Sequence, residues 1–245
     1  MPRKLMISPR KRKLRSLWRA EGGLGLLEFA LGMPVLMGLG GYGVEIGNLA
    51  VINMRVSQYA LQIADNASRI GVTNGLATYQ LREGDINDVL QGLRMFGQGA
   101  KLTTYGRVTI SSLENVKQSY DTAAVQRIHW QRCIGMRGGT ADPGFDSSYG
   151  STTSAAGSTA TAANAGTTAT NGMGDANAMV TAPVGTAVIF VEINYQYPRL
   201  FSSLYMSPAK IHYNASLMVR DKRDFSQIYN PSPAATASTC DLHNA

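Results

Sequence analysis

The chain has 245 residues, 44% of them apolar, long enough for one domain with a real core plus tails. Its formal charge is +7, yet eight of the 23 basic residues and one of the 16 acidic ones lie before residue 24, which leaves fifteen of each sign in the remainder. The excess is thus confined to an N-terminal arm, and no nucleic-acid partner is expected, because that would need a basic face on the folded domain.

Residues 1–23 are expected to be a basic cytoplasmic leader, carrying Arg3, Lys4, Arg10, Lys11, Arg12, Lys13, Arg15 and Arg19. Then comes an apolar run, Leu24 to Val44, in which the only charged side chain is Glu28. As a helix rising about 1.5 Å per residue, residues 24–44 span about 31 Å, the thickness of a bilayer hydrocarbon core. Basic residues beside a span hold that side in the cytoplasm, so everything after Val44 is expected outside the inner membrane. The competing reading is an ordinary secretory signal. That reading calls for a shorter apolar core and a small-x-small cleavage site, and Gly40-Gly41-Tyr42-Gly43-Val44-Glu45 offers none.

Glu28 is the informative residue of the run. A charge in lipid costs about 2.5–3.5 kcal/mol at mid-span and less near the interface. A segment that only anchored would do better with leucine. Glu28 either sits at headgroup level or has a partner in an assembled state.

Gly23 followed by Leu24, with Glu28-Phe29 placing a glutamate fifth after the glycine, resembles the processing site of type IVb prepilins. The run Glu28-Phe29-Ala30-Leu31-Gly32-Met33-Pro34-Val35-Leu36 is similar to the start of TadE-like minor pilins, the pseudopilins of the tight-adherence (Tad, Flp-type) pilus. The resemblance implies a cut between Gly23 and Leu24 by a membrane-embedded prepilin peptidase. It also implies that Glu28 and Phe29 serve assembly, with other pilin subunits and inner-membrane assembly proteins as partners. Patches around Val108–Leu113, Ile128–Gly135, Thr186–Phe201 and Ala215–Asp221 extend the resemblance.

Residues 45–71 are expected to continue the helix on the periplasmic side. Ile52, Val56, Tyr59 and Ile63 recur at helical spacing, and Gly71 is a candidate C-cap. Arg82 to Phe96 reads as a short amphipathic helix. The period then changes to two. Arg107–Leu113, Ala124–Cys133, Thr186–Tyr197 and Lys210–Arg220 each read as a strand, the first two as half-buried. Between the second and third lies a segment, residues 136–179, dominated by Gly, Ser, Thr, Ala and Asn. Its composition predicts a mobile insertion, because it has few large apolar side chains to offset the entropy of ordering. The expected fold is α+β: a long N-terminal transmembrane helix, then a periplasmic domain (72–135 and 180–245) with an antiparallel sheet packed on the exposed half of the helix.

Two cysteines, Cys133 and Cys240, are present. In an oxidising compartment a pair is the default, closing a loop of about one hundred residues. Two separate thiols are the alternative. His129, His212 and His243 are scattered without ligand spacing, and no phosphate loop or nucleophile elbow appears. The expectation is therefore a structural protein, with no enzyme activity and no cofactor. It is expected to be single-pass in the bacterial inner membrane, with its place after processing, in the pilus shaft, at its tip or at its base, left open by the sequence. One rival is an unprocessed single-span scaffold of the pilus machinery. A second is a membrane-tethered enzyme or ligand-binding module.

Overall fold

The computed structural model describes residues 23–73, 75, 77–201 and 203–244. The expected leader, apart from Gly23, lies outside the described residues. The chain divides into two units, one ending at Gly47 and one beginning at Asn48.

Helix α1 runs Leu24–Arg69 without interruption and contains Pro34. Its 46 residues give a length of about 69 Å. In the first unit Leu26, Leu31, Leu36 and Leu39 are each at least 65% exposed.

In the second unit the same helix has a core face. Ile52, Val56, Ala60, Ile63, Ala64 and Ala67 are buried at spacings of three and four. Tyr59 lies at the edge of that face, with its ring 5.4 Å from that of Phe96. The helix ends at Arg69, and Gly71 follows with φ +146°, a conformation side chains rarely adopt. Two of its last carbonyls are satisfied from a distance. The buried Arg223 guanidinium donates to Ser68 O at 3.0 Å and Ile70 O at 2.7 Å. Burial lowers the pKa of that guanidinium, and neighbouring Asp221 offsets the effect. Arg223→Ala is expected to cost about 1.5–3 kcal/mol, the range for hydrogen bonds to a charged group. Amide hydrogen exchange should report it as faster exchange over residues 66–72. Unchanged protection there would show that water caps the helix equally well.

Helix α2 (Glu83–Phe96) begins one residue later than the sequence implies. Its Asp85 carboxylate accepts the backbone N–H and the guanidinium of Arg82. Ile86, Val89, Leu90 and Leu93 form its buried face. A 3-10 turn and the short helix α3 (Leu102–Tyr105) lead into the sheet.

The sheet has five strands: β1 (Gly106–Val116), β2 (Val125–Ile134), β3 (Thr167–Thr168), β4 (Ala187–Gln196) and β5 (Lys210–Met218). Their order is β3-β2-β1-β4-β5, and every neighbouring pair is antiparallel. Four of these are the strands expected from sequence, and β3 is a two-residue addition from the Gly/Ser/Thr segment. One face packs on α1 and α2 through Val108, Ile110, Trp130, Ile189, Val191, Ile193 and Tyr195.

The opposite face carries the main departure from expectation. β1 and β2 are not half-buried: Thr109, Ser111 and Gln131 are at most 4% exposed, and so are Glu192 and Asn194 of β4. The segment expected to be mobile covers them. Ser148 donates from its backbone N–H and its hydroxyl to Glu192 Oε1, at 3.0 and 2.8 Å. Thr152 N–H donates to Gln131 Oε1 at 2.9 Å, and Ala169 N–H donates to Gln126 O at 3.0 Å. Asn194 Nδ2 donates to Phe145 O at 3.2 Å. A small second core, Leu113, Ile128, Val188 and Phe190 with Met173 and Ala182, anchors the segment. Tyr149 stands edge-on to Phe190 with its hydroxyl donating to Asp175. Burial, reinforced by that bond, pushes its phenol up to about 12. The segment is ordered by polar contacts with the sheet together with a few buried apolar side chains, Phe145, Ala156 and Met173.

Candidate functional site

Gly23 and Leu24 stand at the start of α1, and Leu24 is its first residue. Glu28 follows Leu24 by four residues, so both project from one side of the helix on consecutive turns, about 6 Å apart along the axis. Leu24, Glu28 and Phe29 are all exposed. A Cβ placed at Gly23 would meet nothing within 4 Å. The same holds at Gly25, Gly32, Gly38, Gly40, Gly43 and Gly47. A glycine inside a helix costs roughly 1 kcal/mol relative to alanine. Among the described residues nothing packs against these positions. Helix α1 is long and apolar enough to cross a membrane, by length and composition.

Cys133 and Cys240 form a disulfide with their Cα atoms 4.8 Å apart. Around it the C-terminal tail is stitched to the domain. Cys133 N–H donates to Ser238 O and Gly135 N–H to Asn244 O, both at 2.8 Å. The buried Arg107 guanidinium donates to Gly135 O at 3.0 Å, to Leu242 O at 2.7 Å, and to Cys240 O. Burial holds that guanidinium below its usual pKa. Beside the disulfide is a hydroxyl-rich cavity of about 590 Å³, lined by Thr109, Gln131, Thr152, Asp146, Asp241 and His243 among others.

One buried cluster has the residue types of a hydrolase. Ser112 Oγ donates to Glu114 Oε1 at 2.8 Å, and His129 Nδ1 lies 2.9 Å from Glu114 Oε2. The carboxylate stands between hydroxyl and imidazole, so the imidazole has no direct path to the serine proton. All three side chains are at most 2% exposed. His129 is there because β2 carries one extra residue, opposing none between Ser112↔Trp130 and Leu113↔Ile128. His212 sits elsewhere, on β5 with its Nδ1 2.8 Å from Asn194 Oδ1, and among the described residues no group of three metal-ligating side chains gathers.

Sequence reading missed the Arg132–Glu83 pair. Arg132, on the helix-facing side of β2, donates from Nε to Glu83 Oε2 at 2.9 Å and from its terminal nitrogen to Glu83 Oε1. Both side chains are at least 95% buried. The available signal was an arginine within a strand, at the alternate positions occupied by Trp130 and Ile134.

Compared with known proteins, the chain matches no family model, no curated protein and no solved structure.

Proposed function

We propose that the chain is a TadE-like minor pilin, or pseudopilin, that takes part in assembling a Tad/Flp type IVb pilus. The observation that carries this reading is the Gly23-Leu24 junction at the head of α1. There the first residue of the α-helix is also the first residue of the expected mature chain, and Glu28 lies one turn on. The exposed apolar side chains of residues 24–44 suit exchange of lipid for neighbouring subunits, and the open glycine positions suit close helix approach. An α+β domain following the same helix agrees with a pilin-like arrangement. On this reading the protein is a substrate of the prepilin peptidase. It is held in the bacterial inner membrane with residues 1–23 in the cytoplasm and the sheet domain in the periplasm.

Cleavage creates an ammonium on Leu24. Glu28, on its own or an adjacent subunit, pairs with it in the apolar assembly. A charge pair taken out of water is costly to leave half-made, so it favours correct register. The testing measurement is the intact mass and N-terminal sequence of the protein extracted from membranes. A mature chain starting at Leu24 is expected. A chain retaining Met1 or Pro2, in cells with active peptidase, would instead mark an unprocessed single-span scaffold. Glu28→Ala is expected to leave insertion intact and lower the number of assembled pili roughly tenfold, the effect of about 1.4 kcal/mol. Pili at normal number in that strain count against the pairing role.

A further inference from the structure

Strand β5 is the outermost strand on one side of the sheet. Val219 N–H donates to Ala187 O at 2.9 Å, which fixes the phase of the ladder with β4. In an antiparallel pair every second residue bonds to the partner strand, so Ile211, Tyr213, Ala215 and Leu217 aim their backbone groups at β4. Lys210, His212, Asn214, Ser216 and Met218 aim theirs away from it. Among the described residues no hydrogen-bond partner meets these five on that side. The nine residues of β5 make an open edge about 30 Å long.

The other edge of the sheet is closed. Arg127 and Ile128 of β2 pair with Thr168 and Thr167 of β3. The C-terminal tail takes the N–H groups of Cys133 and Gly135 on Ser238 O and Asn244 O, both at 2.8 Å. The β5 edge has few of the usual guards: its register with β4 is unbroken, it contains no proline, and its one charged residue is Lys210 at the end.

A groove of about 340 Å³ opens at the carboxyl end of this edge, lined by Ser68, Tyr79, Leu217, Met218 and Arg220 among others. The carboxylates there are taken: Asp65 pairs with Arg69 at 2.7 Å and Asp221 with Arg223 at 3.4 Å. Arg220 is exposed and has no ion pair among the described residues. No acidic residue occurs between Glu192 and Asp221. The β5 strand of a second copy would therefore bring Lys210 and Arg220 again, with no carboxylate of its own to meet them.

We propose that the β5 edge accepts an extended, acidic segment of another protein as a sixth strand. Its alternate side chains lie beside the half-buried Tyr213 and Leu217 and are apolar. Near its end one of them fills the groove, and a carboxylate meets Arg220. Backbone bonds supply affinity, and the groove with Arg220 supplies selectivity. This goes beyond the pilus reading: it rests on the second unit alone and holds whether or not residues 1–23 are removed.

The test uses the full chain in detergent micelles and two capped synthetic peptides of about nine residues, the length of β5. Both alternate threonine and valine; one ends in glutamate and the other in lysine. The glutamate peptide is expected to slow hydrogen exchange over 210–218 and to bind about tenfold more tightly than the lysine peptide, the effect of one charge-assisted contact. Arg220→Glu should reverse that preference. Ser216→Pro removes an outward N–H and no bond to β4, so it should weaken binding about tenfold with exchange over β1 and β4 unchanged. Binding that Ser216→Pro leaves intact overturns the strand addition. Equal binding of the two peptides overturns the acidic partner, and protection by neither overturns the proposal outright. Protection of 210–218 that rises with protein concentration in the absence of peptide assigns the edge to a second copy instead. None of these outcomes bears on where the mature chain begins.

Discussion

Arg132→Ala is expected to destabilise the domain by about 3–5 kcal/mol, the cost of leaving one buried charge without its partner. The pair joins β2 to the first turn of α2, with Arg132 also donating to Gln131 O at 2.8 Å. Glu83→Ala should cost a similar amount, because the orphan is then a guanidinium with the same lack of water. Replacing both, Arg132→Met with Glu83→Leu, should recover most of the loss, since apolar side chains of similar volume often match or exceed a buried ion pair. Denaturant unfolding of the detergent-solubilised protein, followed by Trp130 emission, checks all three. A single-mutant loss below about 1 kcal/mol would mean that water reaches the pair.

Removing the disulfide by Cys133→Ser with Cys240→Ser should cost about 4 kcal/mol. Closing a loop of about one hundred residues is worth about 4.7 kcal/mol in the chain-entropy model, and removing a native bridge typically costs 2–5. The bridged residues are 107 apart in sequence. The tail does not depend on the bridge alone, because Arg107 and the carbonyls of Ser238 and Asn244 hold it too. Loss of the bridge should therefore act first as faster hydrogen exchange over 236–244 and second as a lower unfolding midpoint. Wild-type protein under reductant should move the same way. Identical midpoints with and without reductant would show that the hydrogen bonds suffice.

The helices and main strands were legible because each depends on local periodicity. Ile52, Val56 and Ile63 mark the buried stripe of α1, and β5, Lys210–Met218, falls within the segment Lys210–Arg220 read as the fourth strand. The burial of the outer sheet face was not legible by the same rule. Ser111, Gln131, Glu192 and Asn194 alternate with apolar residues as solvent-facing side chains do, and they are polar. What distinguishes them is the partner, a segment whose own composition argues for disorder. Ser148 and Thr152 are ordered because Glu192 and Gln131 receive their backbone N–H groups. Such long-range polar matching leaves no trace in a local window. The candidate processing residues are the reverse case. Gly23, Leu24, Glu28 and Phe29 were legible as a motif, and their exposure on one helix adds no intramolecular partner.

The strand order has a consequence for how the domain is completed. β1 lies at the centre of the sheet between β2 and β4, and its nine paired positions with β4 run from Gly106↔Tyr195 to Glu114↔Ala187. The β1–β2 hairpin closes locally, but its inner edge stays open until the whole intervening segment has emerged and β4 arrives. A chain delivered N-terminus first thus exposes an unpaired strand edge while the segment between Val116 and Ala187 is being made. Such an edge invites pairing with another chain, and long-range strand closure is the slow kind of folding event. The late-arriving β4–β5 hairpin acts as the latch that ends this vulnerable interval.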